Sequence, residues 1–550
     1  MGLLQENGPC FVAEDSRSTY LNPWSWNNEV NMLYLDQPTQ VGLSYDVRTN
    51  CTYYPGMEDD EAGYEVVAAN FSDGVPKVNL THRVGTFSSQ INTHTANSTK
   101  TAAHALWHFA QTWFFEFPYY QPVDDRISLW AESYGGHYGP GFFRFFQEQN
   151  DKIANGSSAE RGARYLHLDT LGIVNGLIDM VVQWESMIDF PNNNVVFLPR
   201  WVFVMRLAMA DTLTRTRQTY GLSVFNQSTL EQLRSDWHGP GGCKETLLDC
   251  QRALRSRNVD PVVPLSTVLR NDRNLSEICG SRDGSDMCYD APAEAYLSQP
   301  TPRGWYDIGH PKADPFPPST MYGYLTEAPV LSALGVPVNF STHSSAVRSR
   351  FHATYDIVAG GFLDSIGFLL DHGVKVHLMY GDRDFACNWL GGERASLAVN
   401  YSRSNEFSDA GYTWLMTPGA LSGLTRQVGN YSFTRVFQAG HEVPSYQPAA
   451  AYAIFMRATF GKDVASGTIA VTDEYATKGP RDAWWVKNVP PAMPQPRCNI
   501  LVPGSCPAET WRRVLNGTAV VKDWFVVEGD GGGEEDAVPP DQGQEAIGEL

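Results

Sequence analysis

The chain has 550 residues, 19% of them charged and 42% hydrophobic, with 27 Phe, 25 Tyr and 15 Trp, a composition that can bury a large core and excludes a disordered or fibrous chain. Its net charge of −20 argues against nucleic acid as a partner, because binding phosphates requires a basic face that releases counterions. An acidic medium suits such a chain, since carboxylates there lose part of their mutual repulsion.

Taken in order, Met1 to Tyr20 has neither the charged start nor the apolar run of a secretory signal. Asn31 to Leu35 reads as a short apolar strand closed by Asp36-Gln37-Pro38. Thr99 to Phe115 has a helical apolar face, Ile127 to Trp130 reads as a buried strand, and Leu166 to Val174 reads as another ending at Asn175-Gly176. Strand and helix therefore alternate, which predicts a mostly parallel sheet covered by helices on both faces. From 177 to 328 the pattern turns irregular, with helical pieces at Leu198 to Thr212 and Ser228 to Trp237, and this region reads as an inserted cap. Alternation resumes with a helix near Ala359 to Leu370, the strand Val374 to Tyr380, the strand Thr434 to Val436 and a helix near Gln447 to Thr459. The expected organisation is a first core part at 1–176, the cap at 177–328, a second core part at 329–465 and a C-terminal extension at 466–525. An acidic tail without Lys or Arg, 526–550, has too little apolar surface to fold. No run of about 18 apolar residues offers a membrane span.

Eleven Asn-x-Ser/Thr sequons, at Asn50, Asn70, Asn79, Asn97, Asn155, Asn226, Asn274, Asn339, Asn400, Asn430 and Asn516, point to a secreted or vacuolar glycoprotein. Nine cysteines agree with an oxidising compartment. Nested spacing pairs Cys243 with Cys288 and Cys250 with Cys279, Cys498 is close to Cys506, Cys10 and Cys51 are available to each other, and Cys387 is left over. With no Cys-x2-Cys pair, the cluster does not read as a zinc site, and neither a metal nor a cofactor is expected.

The chemistry centres on Trp130-Ala131-Glu132-Ser133-Tyr134-Gly135-Gly136, where a strand runs into a helix through a sharp turn that lifts a serine hydroxyl, a nucleophile elbow with Ala131 in place of the first glycine. A serine needs a histidine as base and a carboxylate behind it. Gly381-Asp382-Arg383-Asp384 and Gly440-His441 each follow a predicted strand, in the order Ser, Asp, His of an α/β hydrolase. Asp384, projected by the turn that Gly381 begins, is expected to be the triad acid and Asp382 to brace that turn. His137 follows the helix away from Ser133. His104 and His108 have metal-pair spacing, but Ala105 stands where a zinc protease carries its glutamate, so both read as packing or surface residues.

Asn22-Pro23-Trp24-Ser25-Trp26-Asn27, Leu35-Asp36-Gln37-Pro38, Glu132-Ser133-Tyr134-Gly135-Gly136, Gly381-Asp382-Arg383-Asp384 with Cys387-Asn388-Trp389, and Gly440-His441-Glu442-Val443-Pro444 together resemble the serine carboxypeptidase family, in its fungal carboxypeptidase Y-like branch, over about Leu3 to Phe460. The resemblance implies an α/β hydrolase fold that releases C-terminal residues from peptides at acidic pH through an acyl-enzyme, with Ser133, Asp384 and His441 as the triad and Tyr134 giving an oxyanion N–H. It also implies that Glu6 and Glu132 bind the substrate carboxylate, that Cys387 is a free thiol by the pocket, and that Glu442 lines the pocket for the leaving residue. Its substrates would be peptides or proteins with a free C-terminus. The family's Trp-x-Asn-Gly-Gly-Pro-Gly-Cys-Ser-Ser run is not found ahead of Glu6, so an N-terminally truncated chain is expected. The alternatives are an acyltransferase or esterase on the same scaffold, or an inactive truncated glycoprotein.

Overall fold

Six runs of β-branched and aromatic residues form one sheet: β1 (Arg126–Glu132), β2 (His167–Val174), β3 (Lys375–Gly381), β4 (Thr413–Thr417), β5 (Ala420–Val428) and β6 (Tyr431–Val436). They lie in the order β1-β2-β3-β6-β5-β4 in a computed structural model that describes residues 1–55, 64–158, 160–192, 220, 222–260, 262–279, 284–341, 343–489 and 492–527. β1, β2, β3 and β6 run parallel, and β5 and β4 extend the sheet antiparallel. Parallel register aligns Glu132 with Val174, Val174 with Met379 and Gly381 with Val436, so four chain segments leave the sheet side by side at one edge.

Side chains alternate along a strand, and β3 shows what this does. Val376, Leu378 and Tyr380 enter one buried cluster, while Met379 enters another. The first is closed by α1 (Thr99–Glu116), α2 (Gly135–Ala154), α3 (Phe362–Asp371) and α4 (Trp389–Ala398), through Trp107, Phe143, Ile366 and Trp389 among others. The second is closed by α5 (Pro448–Thr459) through Ile454 and Phe455. Trp26, from the Asn-Pro-Trp-Ser-Trp-Asn motif, stacks on Phe455 at 4.1 Å and meets Trp130 edge-on at 5.0 Å, which pins the N-terminal segment to this face. The expected α1 begins where its residues allow it: Ser98 accepts from the Thr101 amide while Thr101 answers, a capping box.

Several expectations are corrected. Residues 31–35 form no ladder and run as irregular chain, held by Tyr34 Oη donating to Asn7 Oδ1 at 2.9 Å and by Met32 packing on the second cluster. An apolar run of five with no adjacent strand has nothing to pair with. A three-stranded antiparallel sheet of Tyr64–Ala68, Thr49–Pro55 and Arg83–Phe87, in that order, was not foreseen. The expected helix at Leu198 to Thr212 and nearly all of the acidic tail lie outside the described residues.

Disulfides join Cys250 to Cys279 and Cys498 to Cys506. Cys243 is also disulfide-bonded, and the Cys288 side chain lies outside the described residues. Cys10 and Cys51 do not pair with each other; both are free. Cys10 sits in a two-stranded ribbon with Thr19–Leu21, whereas Cys51 is sealed in the small sheet against Tyr53 and Phe87. Their separate packing overrides the pairing that their availability suggested.

Two sequons are also set apart. Asn97 is 6% exposed and its Nδ2 donates to Val262 O at 2.6 Å. Asn430 spends its Nδ2 on Leu370 O and Val374 O, and Ser432 of the same sequon is buried. Glycopeptide mapping of protein made in a eukaryotic host is expected to find Asn97 and Asn430 bare; a glycan on either would contradict this packing.

Candidate active site

At the end of β1 the chain must turn abruptly into α2, and Ser133 takes φ 61°, the left-handed region that costs a non-glycine residue strain. Ser133 N donates to Val174 O at 3.0 Å and Leu177 N to Ser133 O at 2.9 Å, so β2 and the chain after it hold the turn. The small residues around it have a steric cause. A Cβ at Gly135 would lie 2.6 Å from Ala131 Cβ, and one at Gly136 would lie 2.3 Å from Leu177 O. The Tyr134 amide starts the N-terminal end of α2 and donates to no protein acceptor among the described residues.

The other two groups come from the neighbouring strands. Gly381 ends β3 against the loop after β6, where a Cβ would meet Gly440 O at 2.1 Å, so glycine is required for the two loops to touch. This contact brings His441 Nδ1 to donate to Asp384 Oδ2 at 2.6 Å, with Asp384 fully buried and His441 5% exposed. The bond fixes the tautomer and leaves Nε2 as a base. Asp384 Oδ2 also accepts from Asn175 Nδ2 at 2.8 Å and Cys387 N at 3.2 Å. The carboxylate thus has a fixed orientation as well as a charge.

Asp382 lies elsewhere. It is fully buried, paired with Arg435 at 2.9 Å, and accepts from Tyr220 Oη at 2.5 Å, Gln438 N at 2.9 Å and Asn488 Nδ2 at 2.7 Å. That network ties the turn to Tyr220, to the residues that follow β6 and to Asn488. Arg383 is bound to Asp307 at 2.6 Å, and Tyr306 O accepts from His441 N at 2.9 Å, so the segment around 306 straps both loops.

The rival histidines are occupied. His137 is buried between Leu177 O and Ile357 O, His104 packs on Phe145, and His108 pairs with Glu160.

Beside the Asp–His pair stands a group of acids. The Glu132 and Glu6 carboxyls are hydrogen-bonding partners, and Glu442 interacts with both. Burial first, then repulsion from Glu6 and Glu442, holds Glu132 well above the usual carboxylate range. Burial raises Glu442 likewise, with repulsion from Glu6 and Asp314 added. Glu6 is raised by burial, opposed by its bond with Glu132 and by His441. Glu132 Oε2 is enclosed without a hydrogen-bond partner. The Cys387 thiol lies within 4.8 Å of ligand atoms of Asp384 and His441, and burial pushes its pKa up, so it is neutral in this pocket.

The sequence reading missed Asn175. Its Oδ1 accepts from Gly381 N at 2.8 Å while its Nδ2 holds Asp384, which requires its φ of 39°. The only sequence signal was an Asn-Gly at a strand end, the mark of any turn.

A strained serine at a strand-to-helix elbow, followed along the chain by an aspartate and a histidine bonded to each other at later strand ends, defines an α/β hydrolase. The sequence profile of the serine carboxypeptidase family, peptidase family S10, matches residues 1–461. The chain is 45% identical over 533 residues to "Carboxypeptidase S1 homolog A" of Arthroderma otae, covering 96% of this chain and 76% of the relative. It is 36% identical over 538 residues to "Carboxypeptidase Y homolog" of Arthroderma benhamiae, covering 96% and 78%. Its fold is similar to that of a prohormone-processing carboxypeptidase of Saccharomyces cerevisiae, Kex1Δp, with a TM-score of 0.53 at 18% identity over 83% of this chain and 79% of the other. The chain belongs to the serine carboxypeptidase family and is a hydrolase of the exopeptidase type.

Proposed function

We propose that this carboxypeptidase cleaves through an acyl-enzyme on Ser133, with His441 as the base oriented by Asp384 and the Tyr134 amide as one oxyanion donor. The observation that carries the reading is the 2.6 Å bond from His441 Nδ1 to a buried Asp384, in the loop row that begins at Ser133. Glu6 and Glu132 receive the substrate's terminal carboxylate. Two acids suit an anion only when protonated, and their raised pKa values extend the protonated form above the ordinary Glu value of about 4.3. At acidic pH they donate hydrogen bonds to the carboxylate. As pH rises through the raised pKa values they ionise and repel it, so activity on free C-termini is greatest in acid. Glu442 lines the pocket of the leaving residue and, when ionised, favours a basic one. Cys387 flanks the same pocket.

Substrates are peptides or proteins with free C-termini, and the chain acts in a secreted or vacuolar compartment. Residues 177–328 are read as a cap inserted between the two core parts, and 466–525 as a C-terminal extension. Among the described residues no single helix is long and apolar enough to cross a membrane.

The test is KM for a blocked dipeptide from pH 4 to 8, set against the same dipeptide amidated at its C-terminus. KM for the free acid is expected to climb with pH in the wild type and to climb less steeply in Glu132→Gln, whose amide still donates when the acid would be ionised. Identical slopes for the two proteins would remove the carboxyl pair from substrate recognition.

A further inference from the structure

The nucleophile elbow is gripped from a direction that the triad does not use. Asp356 follows Tyr355, which sits at φ 55°, and it is only 3% exposed. Its Oδ2 accepts from Tyr134 Oη at 2.8 Å and from Thr99 Oγ1 at 2.6 Å, and its Oδ1 accepts from Thr99 N at 2.9 Å. The Tyr134 ring between its backbone and this anion is packed by His137 at 4.7 Å, Tyr138 at 5.0 Å and Phe351 at 6.0 Å. His137 Nε2, one turn along α2, donates to Ile357 O at 3.2 Å in the same segment. Tyr134 is therefore fixed at both ends: its amide begins α2 next to Ser133, and its hydroxyl ends on a buried carboxylate.

We propose that Asp356 is a positioning residue for the reaction, holding the Tyr134 side chain so that the Tyr134 amide keeps the angle at which it meets the developing oxyanion. This rests on the acyl-enzyme reading above. The physical reason is that a donor to an oxyanion acts through its preorganised direction. A rigid aromatic side chain anchored at its far end transmits that direction to the backbone, while a free phenyl ring permits the elbow to relax its strain by rotation at Tyr134. Loss of an oxyanion donor typically costs about 10² to 10³ in kcat, so loosening one is expected to cost about 10-fold.

Tyr134→Phe and Asp356→Asn are made in the full chain, each singly and together, with Thr99→Val as the control that removes a different contact to the same carboxylate. Asp356→Asn and Tyr134→Phe are each expected to lower kcat on a blocked dipeptide about 10-fold with KM within about twofold. The double variant is expected to be no slower than the worse single, because both act on one contact, which Asp356→Asn alters and Tyr134→Phe removes. A peptidyl boronate that bonds to the serine and places an oxygen in the oxyanion site should bind each about 10-fold more weakly, while Thr99→Val stays near wild type. If Asp356→Asn fails to fold, Tyr134→Phe, which keeps the ring, decides alone. Wild-type kcat and boronate affinity in Tyr134→Phe, or an equal loss in Thr99→Val, would overturn the positioning role. A wild-type chain that neither reacts with a fluorophosphonate nor cleaves peptide would overturn the acyl-enzyme reading beneath it, a different and separable result.

Discussion

Ser133→Ala is expected to reduce kcat on a blocked dipeptide by about 10⁶-fold, leaving the residue that binding and the oxyanion site supply over water. The magnitude follows from how the three groups act. His441 has no proton to take without the hydroxyl, and Asp384 orients a histidine that then has no task, so most of the chemistry is lost with one atom. The variant is not expected to unfold, because the elbow's hydrogen bonds run through the Ser133 backbone to Val174 and Leu177, and alanine keeps both. Its substrate affinity should persist, since the Glu6 and Glu132 carboxyls remain. The measurements are single-turnover cleavage, fluorophosphonate labelling followed by peptide mass, and equilibrium binding of a dipeptide. Labelling at another serine, or a variant within tenfold of wild type, would discard the nucleophile assignment.

The second large effect separates two aspartates that stand two residues apart in Gly381-Asp382-Arg383-Asp384. Asp384→Asn should lower kcat by about 10⁴, because an amide nitrogen in place of Oδ2 stabilises the wrong tautomer of His441, while the backbone bonds of Asp382 N to Val436 O and Arg383 N to Ala439 O still hold the loop in place. Its stability should change little by comparison. Asp382→Asn should do the opposite. It leaves Arg435, fully buried, without a counter-charge, and removing one partner of a buried pair costs about 3–5 kcal/mol. Denaturant midpoints and kcat per folded molecule measured on both variants separate the two. A loss of kcat of about 10⁴ for Asp382→Asn with normal stability would reverse the assignment.

These two acids also mark how far the sequence could be read. The motif placed both at a strand end, and the expectation that Asp384 reacts and Asp382 braces came from turn geometry alone. The structure adds the reason: Asp382 meets the buried Arg435, Tyr220 and Asn488, partners from sequence distances of 53, 162 and 106 residues. No local pattern reports such partners. Asn175 and Asp356 went unseen for the same cause. One looked like a turn and the other like a loop acid, and each acquires a role only where a distant chain segment is laid against it.

Local chemistry carried further in other places. The order of Ser133, Asp384 and His441, the strands ahead of them and α1 with its capping serine were legible because each depends on residues adjacent in sequence. The small sheet at Thr49–Pro55 and the irregular path of residues 31–35 were not, since a short apolar run becomes a strand only if another strand is beside it. Cys10 and Cys51 failed to meet for a related reason: pairing needs side chains brought together, and the two sit in separate packing units.

By itself, then, the sequence determined the class of fold and singled out the proposed nucleophile and base, because a serine lifted on a tight turn requires glycines and small residues at fixed offsets. Only the tertiary structure decided which aspartate is bonded to the histidine, that three glutamates stand together in one pocket, and that the amides of Asn97 and Asn430 are taken up by backbone carbonyls. Those depend on burial and on neighbours far along the chain, and burial is what raises a carboxyl's pKa or takes up an asparagine's amide.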